Sequence, residues 1–201
     1  MWVYLLQGIG FGFAAAAQPG PFQTYLISQS LSRGWRSTLI AAFAPLASDA
    51  PVIALCLLVL SQIPAWFERF LHLASGLFIL YLAFGAYKAW NSFDPTLPAP
   101  EAGDQKSLLY ASLVNLLSPG PYLFWSLITG PILLAGWRES PSLGISFLLG
   151  FYTTFTSSLI AIIVVFGVMR QFGPQFNRTL IGISAIALFS FGSYQLWMGL
   201  T

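Results

Sequence analysis

Apolar residues fall into six long blocks along this chain: Trp2 to Leu31, Thr38 to Leu60, Phe70 to Trp90, Leu108 to Leu134, Leu143 to Met169 and Thr179 to Leu200. A bilayer core about 30 Å thick takes roughly 20 apolar residues per helix, so the pattern predicts six transmembrane helices. The polar spacers are short and hold nearly all the charge: 32–36, 62–69, 91–106, 136–141 and 170–178. The third is the longest and is rich in Pro, Asp and Glu. It divides the chain into a first three-helix unit (1–90), a polar linker (91–106) and a second three-helix unit (107–201). Trp2, Trp35, Trp66, Trp90, Trp137 and Trp197 fall near predicted span ends, as interfacial anchoring expects, and only Trp125 lies within a span.

Composition narrows the chemistry. Of 201 residues, 57% are hydrophobic and 7% charged, with a mean hydropathy of +0.76. A soluble domain carries about 25% charged residues, so the fold class is an all-α integral membrane protein whose partner is the lipid bilayer. A net charge of +2 gives no reason to expect nucleic acid. Cys56 and His72 are the single cysteine and histidine, which excludes a disulfide framework, a CxxC redox pair and a thiolate or His-rich metal centre. No metal or cofactor is expected. The first residues carry neither a basic n-region nor an A-x-A cleavage site and are expected to form a retained span. The first, third and fifth spacers with their helix ends carry Arg33, Arg36, Lys88, Lys106, Arg170 and Arg178, against Arg69 and Arg138 on the other side. The excess of Lys and Arg on cytoplasmic loops therefore predicts both termini outside the cytoplasm.

Two self-similarities set the expected architecture. Gln18-Pro19-Gly20-Pro21-Phe22 in the first span recurs as Ser118-Pro119-Gly120-Pro121-Tyr122 in the fourth. Phe84-Gly85-Ala86-Tyr87-Lys88-Ala89-Trp90, closing the third span, recurs as Phe191-Gly192-Ser193-Tyr194-Gln195-Leu196-Trp197, closing the sixth. Three helices per half force the halves into opposite orientations, so two inverted three-helix repeats are predicted. In secondary transporters of that plan the binding site lies between the repeats near the midplane.

Neither Pro-Gly-Pro can continue a helix, because each proline removes an N–H and its ring clashes with the preceding turn. Broken backbone inside a bilayer is tolerated only where protein or a water-filled cavity receives its polar groups. The first and fourth helices are thus expected to break near mid-membrane, with Pro21 and Pro121 opening new half-helices. The N-terminus of a half-helix offers free N–H groups and a partial positive charge, which suits a carboxylate. Gln18, Pro19, Gly20, Pro21, Ser118, Pro119, Gly120 and Pro121 are candidate substrate-binding residues, with Asn115, Gln23 and Thr24 flanking the breaks. Gly76, Gly85, Gly150 and Gly192 read as sites of close helix contact.

Asp49 is the only acid deep inside a predicted span, between Pro45 and Pro51. Such an acid costs about 2.5 to 3.5 kcal/mol on insertion scales, so it points to function. It is a candidate for carrying a coupled proton or for anchoring a substrate ammonium. The matching span of the second half has no acid but offers Tyr152, Thr153, Thr154, Thr156, Ser157 and Ser158. Thr153 and Thr154 are taken as candidates there, although hydroxyls of this kind also bond back to their own helix.

Gln-Pro-Gly-Pro followed by Ser30-Leu31-Ser32-Arg33-Gly34-Trp35-Arg36, the mid-span Asp49, and Asn115-Leu116-Leu117-Ser118-Pro119 followed by Phe124-Trp125 resemble the LysE/RhtB amino-acid exporters. The resemblance covers essentially the whole chain. The family's second-half motif usually reads Asn-Pro-Lys, whereas this chain has Ser118-Pro119-Gly120-Pro121 and no lysine there. The resemblance implies export of amino acids or related small solutes from a bacterial cell across its cytoplasmic (inner) membrane, driven by the proton or membrane potential. A metal or other inorganic cation exporter is the competing class, although one acid is a poor ion cage. An enzyme is not expected, since no catalytic pair is present. Small-residue faces suit internal packing or a homodimer equally well.

Overall fold

The structure, a computed structural model, describes residues 1–18, 20–59, 65–93 and 104–200, and every regular element among them is helical. Pro19 and most of the 91–106 linker lie outside the described residues, as does the side chain of Cys56. The helices are α1 (Trp2–Ala17), α2 (Pro21–Arg33), α3 (Trp35–Thr38), α4 (Ala44–Val59), α5 (Ala65–Asn91), α6 (Asp104–Leu117), α7 (Pro119–Phe124), α8 (Gly130–Glu139), α9 (Pro141–Met169) and α10 (Pro174–Leu200). A 3₁₀ segment, Leu39–Phe43, joins α3 to α4, and a π-helical turn, Trp125–Thr129, joins α7 to α8. Pro21, Pro119, Pro141 and Pro174 each open a helix, where the missing N–H costs nothing. Gly34 and Gly173 take positive φ (89° and 123°) to close α2 and to lead into α10.

Four continuous stretches are long and apolar enough to cross a membrane: Trp35–Leu55, Arg69–Asn91, Pro141–Met169 and Pro174–Leu200. The other two expected spans are those interrupted at Gln18–Gly20 and at Ser118. At 16 residues, α1 is about 24 Å long and does not reach across a bilayer core by itself. The outside of the bundle is apolar, with Trp2, Leu6, Phe13, Leu77, Phe84, Ile186 and Phe189 exposed, as contact with lipid requires. The exception is α2, which carries Gln23, Thr24, Ser28, Gln29, Ser30, Ser32 and Arg33. It is packed by α3, α5, α6, α9 and α10.

Two helix pairs dominate the packing: α5 with α10, and α1 with α9. Across the first, Leu73 meets Gly199, Gly76 meets Leu196, Leu80 meets Gly192 and Trp90 meets Gly182, so α5 and α10 run antiparallel. Along the second, Gly8 lies at Phe147 and Gly12 at Phe151, so α1 and α9 run in the same direction, while Tyr4 lies at Gly136 of α8. A Cβ at Gly8 or Gly12 would strike the main-chain carbonyl of Phe147 or Phe151, and one at Gly150 the carbonyl of Leu5. Close backbone approach of this kind drives association in lipid, where hydrophobic burial offers no gain. Gly85 departs from the expectation set above, since a Cβ there would meet open space. Trp35, Trp90 and Trp137, read as interfacial anchors, also seat on Gly167, Gly182 and Gly144 respectively.

Gly8→Ala is expected to destabilise the fold by about 1–3 kcal/mol through overpacking against backbone that cannot yield. Gly10→Ala, which meets nothing, should leave stability unchanged or slightly raised. Thermal unfolding of the two variants in one detergent separates them.

Candidate functional site

The breaks arise where the sequence puts them, and side chains nearby complete their backbone hydrogen bonding. In the first half, Gln23 Nε2 reaches back to the Ala15 carbonyl at 3.1 Å, replacing a helical donor lost at the break. In the second, the Tyr122 hydroxyl donates to the Leu116 carbonyl at 2.9 Å, and Ser118 Oγ to the Val114 carbonyl at 2.6 Å. At the π turn that follows, the Phe124 carbonyl also accepts from Thr129 Oγ1 at 3.1 Å. Such turns recur at functional sites because they re-aim one side chain without ending the helix. Here the turn starts at Trp125, buried at 1% exposure against Phe151 with ring centroids 5.1 Å apart.

Asp49, on α4, is 3% exposed. Its carboxylate accepts from Asn115 Nδ2 at 2.5 Å and from the Tyr152 hydroxyl at 3.1 Å, and the Tyr152 ring stacks on Trp125. Asn115 uses its other amide hydrogen on Ser48 Oγ at 2.8 Å, which in turn donates to the Ala44 carbonyl. Both donors to the acid come from the second half of the chain, on α6 and α9. A carboxylate offers about four lone-pair sites, so two donors leave part of it open.

Asp49 lines a cavity of about 310 Å³. Gln18, Gly20, Pro21 and Gln23 line it from the first break, and Ser118, Gly120 and Pro121 from the second. Asp49 and Asn115 lie between them, and Phe124, Trp125, Phe151, Phe155 and Phe191 form an aromatic wall. Asp49 is the one carboxylate among the described lining residues, and no lysine or arginine lines the cavity there. Of the sequence candidates, the structure thus brings together Gln18, Gly20, Pro21, Asp49, Asn115, Ser118, Gly120 and Pro121. Pro119 is buried behind the lining as the first residue of α7. Thr153 is exposed and Thr154 half-buried, and neither lines the cavity. Their neighbour Tyr152, one residue earlier, is the residue that α9 turns toward the acid.

The two half-helix starts are not equivalent. α2 opens with Pro21 and leaves the N–H groups of Phe22 and Gln23 ahead of the first helical bond, Thr24 N–H to the Gly20 carbonyl at 3.0 Å. The second half-helix begins at Pro119, two residues before the expected Pro121. Pro119 and Pro121 bring no N–H, so Gly120 is the single donor in that stretch. Tyr194 and Gln195 also line the cavity. Gln195 Oε1 meets His72 Nδ1 at 2.5 Å, so the single histidine is buried one layer behind the site. Gln195 had no signal beyond its place in the repeat. Trp125 had one, as the only tryptophan within a span.

A cavity with one carboxylate among its described lining residues, walled by aromatics and flanked by broken helices inside an apolar bundle, suits a membrane transport protein. The chain matches the family model of the LysE type translocators over residues 13–199, nearly its whole length, and belongs to that family. It is a multi-pass membrane translocator of a family whose members are not enzymes. No curated protein and no solved structure matches it.

Asn115→Leu should cost about 1–3 kcal/mol by stripping donors from Asp49 and Ser48 together. Tyr152→Phe, which removes one donor and keeps the ring on Trp125, should cost about 1 kcal/mol. Unfolding midpoints in detergent, compared at equal expression, check the order.

Proposed function

We propose that this translocator is a secondary active exporter of amino acids across the cytoplasmic (inner) membrane, working by alternating access between two inverted three-helix repeats. The observation that carries the reading is Asp49, an acid with two neutral donors and, among the described residues, no cation beside it, lining a cavity between two helix breaks. Ligand pockets begin at about 300 Å³, so a cavity of about 310 Å³ suits a small solute. The free N–H groups of Phe22 and Gln23 suit the substrate carboxylate, aided by Gly120 from the opposite side. The substrate ammonium then takes an open position on Asp49, beside aromatic faces that favour a cation. A dehydrated metal ion needs several oxygen ligands at once, whereas Asp49 is the one carboxylate lining the cavity among the described residues.

Packing supports the repeat. α5 and α10, the closing helices of residues 1–90 and 107–201, are antiparallel partners. α1 beside α9 mirrors α6 beside α4. Rocking of one half on the other would pass Asp49 between the two sides, because the acid belongs to the first half and its donors to the second. The proton or membrane potential would supply the drive, and both termini would face away from the cytoplasm.

Counterflow in proteoliposomes with a panel of labelled amino acids tests the reading. One class should exchange, and Asp49→Asn should reduce its rate at least tenfold without loss of monodisperse protein. Exchange by no amino acid, or full exchange by Asp49→Asn, would overturn it.

A further inference from the structure

A second cavity, of about 290 Å³, lies between α2, α5 and α6. Its polar lining has a consistent chemistry. Arg33, half-buried in the last turn of α2, and Lys88, exposed in the last turn of α5, supply two cations. No carboxylate lines it among the described residues. Ser28 Oγ, Gln29 Oε1 and Ser32 Oγ are buried without a hydrogen-bond partner, and Ser28 is only 1% exposed. Buried hydroxyls are ordinarily satisfied, so a group of orphans around one cavity marks a place where a polar ligand completes them. Two cations with two hydroxyl donors describe a carboxylate site. Gln29 Oε1 can only accept, which a bare oxyanion leaves unmet and the ammonium of an α-amino acid fulfils.

We propose that this cavity is a second substrate site, taking the carboxylate and ammonium of an amino acid on its way between the Asp49 cavity and the basic end of the bundle. The proposal rests on the amino-acid reading above. α2 builds both cavities, with Pro21 to Gln23 lining one and Ser28 to Arg33 the other. Six residues of helix place Ser28 about 9 Å beyond Phe22. Tyr25 and Leu26, both fully buried, fill the interval. The two sites are therefore stacked along one helix, with a Tyr–Leu plug between them, and Arg33 draws the anionic end of the substrate to the side that the Lys and Arg balance assigns to the cytoplasm.

The test reads the cavity's charge selectivity without depending on transport. In a Cys56→Ala background, Ser28→Cys is labelled with an anionic methanethiosulfonate (sulfonatoethyl) and a cationic one (trimethylammonioethyl). The anionic reagent should react at least fivefold faster, and Arg33→Gln with Lys88→Gln should abolish the preference. Gln29→Cys serves if Ser28→Cys does not yield folded protein. An amino acid that exchanges in counterflow should protect the cysteine, and its carboxamide should not. Equal rates for the two reagents would overturn the proposal. So would protection that appears only in phosphatidylglycerol vesicles and not in phosphatidylcholine with amino acid, since the occupant would then be a lipid headgroup. Anionic preference in a protein that exchanges no amino acid would instead strike the exporter reading, leaving the cavity's selectivity in place.

Discussion

A carboxylate inside an apolar bundle has to be held by donors, and the position of Asp49 organises much of this fold. Its two donors, Asn115 and Tyr152, each come from the half of the chain that does not contain the acid. The tie is therefore between halves, not within one. A salt bridge would have locked it, because separating paired charges in a low-dielectric interior is expensive. Neutral donors hold the acid more weakly and leave part of it open to the cavity. The arrangement suits a contact that has to be remade during a cycle.

The two breaks answer to the same constraint, that no polar backbone group be left in lipid. Gln23 and Tyr122 solve it in matching ways, each reaching back across its own break. The resemblance ends there. Because its half-helix starts at Pro119, both prolines of the second break fall in the first turn and leave one fewer free donor than the first, and the π turn beyond it has no counterpart among the described residues of the first half. A cavity built from such unequal ends distinguishes its two sides even where the surrounding helices pair alike.

Much of this could be read in the sequence. Proline chemistry places the breaks, and the lone acid draws attention to Asp49, because both are local facts with one physical reading. The partners of Asp49 were harder to see. Asn115 stood out by its nearness to a break, but Tyr152 and Thr153 differ only in which way α9 is rotated, and rotation is set by packing on α1. Glycine 8, 12 and 150 fix that packing through backbone contact, a property of pairs of helices and not of any window of residues. For the same reason Gly85 resembled Gly192 in sequence and differed from it in the fold. The second half-helix began earlier than expected because Pro119, like Pro121, is acceptable in a first turn, and the chain takes the earlier start.

The polarity of α2 has a consequence for how the protein is made. A segment with two glutamines, a threonine, three serines and an arginine is a poor solute for hydrocarbon, yet it follows α1 directly into the membrane. Its packing partners include α9 and α10, which are synthesised well after it. Until those helices arrive, α2 lacks much of the interior that receives its polar side chains. Packing of this segment is therefore completed only once helices far along the chain are in place.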